Sequence, residues 1–140
     1  MSNYDKAMEL AKSGARLDLV YELLCKASSH NDPRADYAIG TWLLHGHYLR
    51  KNVRKGIRLI RHASKNGVAP AAFDMAVSYE KGIGVQQNLA IAAAYYLRAF
   101  RLGEDSAIPE LERIFYWGIG VKANRRLARE FSLMKTCKES

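Results

Sequence analysis

The feature that most narrows the fold is a spelling that recurs at a fixed distance. Residues 81–88 read KGIGVQQN, and thirty-six residues later positions 117–124 read WGIGVKAN. Shifting the whole chain by the same interval brings many more positions into coincidence. Ala35, Ala71 and Ala107 align, as do Gly46, Gly82 and Gly118, then Asn52, Asn88 and Asn124. Gly67 falls on Gly103 and Ala63 on Ala99. Matched apolar positions lie between them: Ile39, Met75 and Leu111; Leu43, Tyr79 and Phe115; Leu59, Tyr95 and Phe131. So many matches in one frame, without insertion or deletion, define three tandem units. Units of this length bury a continuous core only by stacking on one another.

Each unit reads as two helices. In PAAFDMAVSYEKG, Ala72, Met75, Ala76 and Tyr79 stand at i, i+3, i+4 and i+7, the spacing of one helical face. Gly82 ends that helix, because a left-handed C-terminal residue costs glycine no Cβ clash. Val85 is then free to turn inward from the loop. Asn88 can cap the next helix by accepting an orphan N–H, and LAIAAAYYLRAFRLG continues as that helix until Gly103. No Glu or Gln lies three residues after any of the three Asn caps, so the reciprocal capping box is absent. GIGV is therefore a turn between antiparallel helices. As a phosphate loop it lacks the GK[ST] ending and a preceding strand, so no nucleotide cofactor is expected. The alanines Ala35, Ala63, Ala71, Ala92, Ala99, Ala107 and Ala128 mark places of close helix approach, and Tyr79, Tyr95, Phe115 and Phe131 are expected to fill the gaps between units.

The middle unit, with Ala71, Tyr79, Gly82, Gly84, Val85, Ala92, Tyr95, Ala99 and Gly103, resembles the Sel1-like repeat, a relative of the tetratricopeptide repeat. The resemblance runs from residue 35 to about 138. The first unit departs from it where Tyr48 replaces the second loop glycine, so a differently shaped loop is expected there. The third departs at Glu112, where a small residue is usual, and at Lys135, where Ala is. Polar residues in a last unit fit a cap. The resemblance implies an all-α fold: an α-solenoid of antiparallel helix pairs in a right-handed superhelix, about eight helices in all. Residues 1–34 carry a weaker echo, with Leu23 on Leu59 and Ala27 on Ala63. They read as a degenerate opening pair whose first helix covers roughly residues 3–12. Repeats at 35–70, 71–106 and 107–140 follow, in a single domain overall.

With 49% hydrophobic and 26% charged residues, the chain can bury a core, and disorder is excluded. No apolar run approaches the ~18 residues of a membrane helix. The start, MSNYDKAMELAKSG, is polar and carries both charge signs, and no secretion signal is read in it. Cys25 and Cys137 have no CxxC spacing, so reduced thiols and a cytoplasmic setting are expected. Cys25 lies on an apolar helix face and is expected to pack in the core. His45 and His47 are metal-ligating types in one turn, but spacing offers no two further ligands, and no metal is expected. No Ser–His–Asp order or carboxylate pair suggests catalysis, so a non-enzyme is expected.

The net charge of +8 and pI near 9.6 favour an acidic partner. The resemblance implies that the first helix of each unit lines a concave face. Carried over by position, Tyr37, Thr41 and His45 line it from the first unit, Phe73, Val77 and Lys81 from the second, and Pro109, Arg113 and Tyr116 from the third. Arg34 stands at the rim. Aromatics with a few cations suit a protein segment. A second surface is the basic stripe Arg54, Arg58, Arg61 and Lys65, spaced 4, 3 and 4, with Lys51, Lys55, Arg125, Arg126 and Arg129 adding positive charge. The function expected is a non-enzymatic protein-binding module holding an acidic protein partner. It would act as an adaptor or as a dedicated inhibitor, such as an immunity protein blocking a toxin. The alternative is a nucleic-acid-binding protein using the stripe, although that stripe lacks the interleaved aromatics of single-strand binders.

Overall fold

The computed structural model describes residues 1–14 and 16–139. Among the described residues there are eight α-helices and no strand: α1 (Asn3–Lys12), α2 (Leu17–Ser29), α3 (Pro33–His45), α4 (Val53–Lys65), α5 (Ala69–Lys81), α6 (Leu89–Arg101), α7 (Ala107–Trp117) and α8 (Arg125–Glu139). Each odd-numbered helix packs against its successor as an antiparallel pair. The chain divides into two compact units, Met1–Val68 and Ala69–Ser140.

One turn is built three times between the helices of a pair. Gly46, Gly82 and Gly118 close α3, α5 and α7 with φ of 70°, 72° and 71°, where a side chain would be strained. The next N–H then returns to the helix: His47 to the Trp42 carbonyl, Ile83 to Ser78 and Ile119 to Ile114, at 2.9–3.0 Å. The asparagine closes the loop twice over. Its backbone N–H donates to Leu43, Tyr79 or Phe115, and its side chain accepts the N–H of Lys55, Ile91 or Leu127. Tyr48 takes the same left-handed turn as Gly84 and Gly120, with φ of 60° against 71° and 75°. The first loop therefore keeps the common shape, contrary to expectation. The cost is roughly 1–2 kcal/mol of backbone strain, and the Tyr48 ring lies against Tyr21 and Trp42, with centroids 5.8 and 5.6 Å away. Between pairs a second turn recurs. Asn31, Gly67 and Gly103 are all left-handed, and Asp32, Val68 and Glu104 donate back to Ala27, Ala63 and Ala99.

In Met1–Val68 the core joins Ala7 of α1, Val20, Leu24 and Ala27 of α2, and Ala35, Ile39 and Leu43 of α3. α3 and α4 meet backbone to backbone. A Cβ on Gly56 would lie 2.8 Å from the Gly40 carbonyl oxygen and 2.9 Å from the Leu44 nitrogen. α1 belongs to the same scheme at a different interval. The α1–α2 loop spans residues 13–16 where the α3–α4 loop spans 46–52, three residues more. Moving back thirty-three positions instead of thirty-six brings Tyr4 onto Tyr37, Ala7 onto Gly40 and Leu10 onto Leu43.

In Ala69–Ser140 the same helix contacts are made by alanines and rings. Tyr79 stacks on Tyr95 at 5.7 Å and 11°, and thirty-six residues on Phe115 stacks on Phe131 at 6.0 Å and 12°. Phe100 meets Phe131 edge-on at 5.4 Å. The two polar departures of the last unit answer each other: Lys135 Nζ donates to Glu112 Oε2 at 3.0 Å. Gly120 brings its loop onto the start of α6. A Cβ there would stand 2.3 Å from the Leu89 carbonyl. Cys25 is exposed, not buried as its apolar neighbours suggest; so is Cys137, and neither is joined in a disulfide.

Candidate partner-binding site

The residues assigned to the first-helix faces divide into those held by the fold and those open to a partner. In α3, Arg34 is held from three sides. Its guanidinium donates to Asp32 at 2.7 Å, approaches Asp5 of α1 at 3.8 Å and lies 4.3 Å over the Tyr4 ring. The hydrogen bond to Arg34 holds the Asp32 carboxyl below its usual range, and the same bond raises Arg34. The Thr41 hydroxyl donates back to the Tyr37 carbonyl at 2.9 Å, and Tyr37 is half-buried. His45 is exposed, while the His47 ring turns onto Trp42, 5.5 Å between centroids. Among the described residues, no three His, Cys, Asp or Glu side chains gather in a way that would hold a metal ion.

In α5, the Phe73 ring packs edge-on against Tyr96 of α6 at 5.4 Å, and Val77 lies against the same core. Lys81 is exposed. Arg113 of α7 is the centre of a polar node. Its Nη2 donates to Glu80 of α5 at 2.8 Å and to Glu110 at 2.7 Å, while the Tyr96 hydroxyl donates to Glu80 at 2.9 Å. Burial opposes the Arg113 charge, but the bonds to Glu110 and Glu80 outweigh it and raise its pKa. Burial, then the bond to Glu80, pushes the Tyr96 phenol well above its ordinary range. Arg113 thus ties α5 to α7 and is spent largely on that task.

What remains open lies at the end of α7. Tyr116 is 40% exposed and Trp117 68%, and their rings meet edge-on at 4.7 Å. Gly118 stops the helix directly behind them, so both rings stand at its last turn. The Arg125 guanidinium sits 4.6 Å over the outer face of Tyr116. Two open cavities of about 300 Å³ flank Tyr116, one bounded by Pro109, Glu112, Arg113 and Trp117, the other by Glu112, Arg125, Ala128, Arg129 and Ser132. Of the local acids, Glu110 is matched by Arg113 and Glu112 by Lys135, while the exposed Glu130 of α8 forms no ion pair with a described residue. Lys122, Arg125, Arg126 and Arg129 form no ion pair with a described residue. Trp117 was legible in the sequence: it stands thirty-six residues after Lys81 and seventy-two after His45, the register position that the choice of Tyr116 misses by one.

The stripe on α4 lies as its spacing implies. Arg54, Arg58, Arg61 and Lys65 are all exposed, while Ile57, Ile60 and Ala63 are buried on the other side.

Comparison with known proteins agrees with this architecture. The Sel1 repeat family model matches residues 2–19, 33–68, 69–104 and 113–133. The chain is 32% identical over 62 residues to the DAP3-binding cell death enhancer 1 of Rattus norvegicus, a match covering 44% of this chain and 12% of that protein. Among solved structures it resembles a Sel1 repeat protein from Oxalobacter formigenes, with a TM-score of 0.87 and 24% identity over 99% of this chain and 57% of that one. It also resembles a protective antigen of uropathogenic Escherichia coli strains displaying an SLR fold, with a TM-score of 0.82 and 19% identity over 92% of this chain and 28% of the other. Sel1 repeats are in general protein-interaction modules, typically without catalysis of their own. No helix among the described residues is long and apolar enough to cross a membrane. The repeated turns, the small-residue helix contacts and the matched segments agree: the chain belongs to the Sel1 repeat family.

Proposed function

We propose that this chain is a non-enzymatic binding module that holds an acidic protein partner, with Tyr116 and Trp117 as its anchors. The observation that carries this reading is an exposed tryptophan packed on Tyr116, whose ring Arg125 covers, with Lys122, Arg125, Arg126 and Arg129 outnumbering Glu130 around them and in no ion pair with a described residue. Trp, Tyr and Arg are the residues enriched where binding energy concentrates. Uncompensated positive charge around them favours acidic partners and speeds their approach. Within Ala69–Ser140 the exposed Lys81 extends the contact, and Phe73, Val77 and Arg113 shape the face that presents it. Within Met1–Val68 the exposed His45, with Arg34, Tyr37 and Thr41, offers a first-helix face of its own. An adaptor or a dedicated inhibitor, including an immunity protein against a toxin, would use the surface in the same way. A cytoplasmic setting is part of the same proposal.

The test compares the proteins retained from a native lysate by the wild type and by Trp117→Ala with Arg125→Glu and Arg129→Glu. All three side chains are exposed, so helical circular dichroism should be unchanged. Proteins of acidic pI held by the wild type should be lost from the variant. Once one is purified, Trp117→Ala alone should weaken it by about 30-fold or more, corresponding to about 2 kcal/mol. Retention of the same proteins by both forms would remove this site.

A further inference from the structure

The positive charge of this chain is concentrated on α4 and the loop that leads into it. Arg50, Lys51, Arg54, Lys55, Arg58, Arg61 and Lys65 fall within sixteen residues that contain no Asp or Glu, against a net charge of +8 for the whole chain. The structure turns them outward. α4 buries Gly56, Ile57, Ile60, Ala63 and Ser64 and exposes Arg54, Lys55, Arg58, Arg61, His62 and Lys65. Arg54 and Arg58 form no ion pair with a described residue. The carboxylate beside this face, Asp36, is 5% exposed and already accepts from Ser28 at 2.5 Å and meets His62 Nδ1 at 3.0 Å.

We propose that the outer face of α4 binds the phosphate backbone of double-stranded nucleic acid without reading its sequence. The composition of the face selects this occupant. A protein interface needs an apolar or aromatic centre, and the exposed side chains of α4 are Arg, Lys and His62. A helix lying in a membrane surface needs an apolar face to insert, and that of α4 is buried in the repeat. Single strands are held by stacking on aromatics, and α4 has none. A row of cations alone fits a row of phosphates. At about 1.5 Å per residue, Arg54 to Lys65 spans about 16 Å, the axial length of about five phosphates on one strand of a duplex. The stripe belongs to Met1–Val68 and the Tyr116–Trp117 anchor to Ala69–Ser140, and they share no residue, so either assignment can fail without the other.

The experiment is fluorescence anisotropy with a labelled random-sequence 20-base-pair duplex, titrated with the full chain at several salt concentrations. Four phosphate contacts predict a log–log salt slope of about −3.6, and so a loss on the order of 10²-fold between 50 and 200 mM salt. Arg54→Glu with Arg58→Glu should abolish binding, and Arg54→Gln with Arg58→Gln should weaken it and flatten the slope. Arg125→Glu with Arg129→Glu should bind as the wild type does. Circular dichroism checks that each form is folded, and the Gln pair decides if the Glu pair is not. Several results would overturn the proposal: no anisotropy change at 50 mM salt, binding unaffected by the Gln pair, or tighter binding to poly-glutamate or to phosphatidylserine vesicles than to the duplex.

Discussion

The pair α3–α4 in Met1–Val68 and the pair α5–α6 in Ala69–Ser140 occupy one register and solve its packing differently. In α3–α4 the small positions are Gly40 and Gly56, each of whose missing Cβ would strike the other helix, and the large positions are Leu43 and Leu59. In α5–α6 the small positions are Ala76 and Ala92, and the large ones are the stacked Tyr79 and Tyr95. Glycines bring backbones together, and the space left for side chains beyond them suits leucine. In α5–α6 alanine methyls take the places of the two glycines, and two rings lie face to face in the places of the two leucines. The lesson is that the repeat specifies a combined thickness at each contact rather than particular residues, as close-packed interiors require. The polar links follow the same logic. α2, α3 and α4 are joined by Ser28, Asp36 and His62, and α5, α6 and α7 by Glu80, Tyr96, Glu110 and Arg113.

The ring solution is tested most severely at Phe131. It is 4% exposed and meets both Phe115 and Phe100. Phe131→Ala should destabilise the protein by about 3–5 kcal/mol in urea unfolding, the usual range for emptying an aromatic core site. Its partner Phe115 is only half-buried, so Phe115→Ala should cost less. Equal losses at the two positions would mean that stacking, not burial, dominates.

The glycine solution is tested by Gly56→Ala. On an open helix this change adds about 0.5–1 kcal/mol of stability by restricting the unfolded chain. Here the new methyl meets backbone atoms on α3 that cannot step aside. A net loss of about 1–3 kcal/mol is expected, as for other overpacked sites. The reverse change at the equivalent position, Ala92→Gly, should also lose stability, by about 1 kcal/mol, through greater freedom of the unfolded chain. If Gly56→Ala stabilises the protein, the two helices are not in backbone contact and the comparison fails.

The landmarks that a constant interval aligns were legible in the sequence: the glycine ends, the asparagine caps, and the large rings, although Tyr79 and Tyr95, like Phe115 and Phe131, stack within one helix pair rather than between units. Asn31 was equally legible and overlooked. It falls on Gly67 and Gly103, and asparagine is the residue after glycine that best tolerates the left-handed turn. The echo in residues 1–34 was confined to α2, and α1, although expected at roughly residues 3–12, did not align, because a connection three residues shorter breaks the thirty-six-residue frame before Tyr4, Ala7 and Leu10 come into register. Tyr48 misled because a residue's preference was taken for its conformation, while the turn's hydrogen bonds and two neighbouring rings impose the glycine shape. The bonds of Arg113 could not be read at all. Glu80 lies thirty-three residues away on another helix, and only stacking brings it within 2.8 Å. Cys25 shows the same limit, since an apolar neighbourhood in sequence does not say which side of a helix is covered.

The smallest expected effect separates the two polar links by pH. Tyr96 has no ionisable counterpart in α4, where the register position is Ile60. Burial and the Glu80 bond raise the Tyr96 phenol above its ordinary value of about 10, so the fold favours the neutral form. That contribution is complete below pH ~10 and is lost as pH climbs from there toward the folded-state value. Tyr96→Phe removes the hydroxyl while keeping the ring against Phe73. Glu80 retains Arg113 as a partner, so the loss near pH 7 should be about 1 kcal/mol. Between pH 10 and 11.5 the gap between the two forms should narrow, because only the wild type still has this stabilisation to lose. Urea unfolding of both forms across that range reads the difference directly. A gap that stays constant or widens with pH would show that the Tyr96–Glu80 bond does not hold α6 to α5 as described.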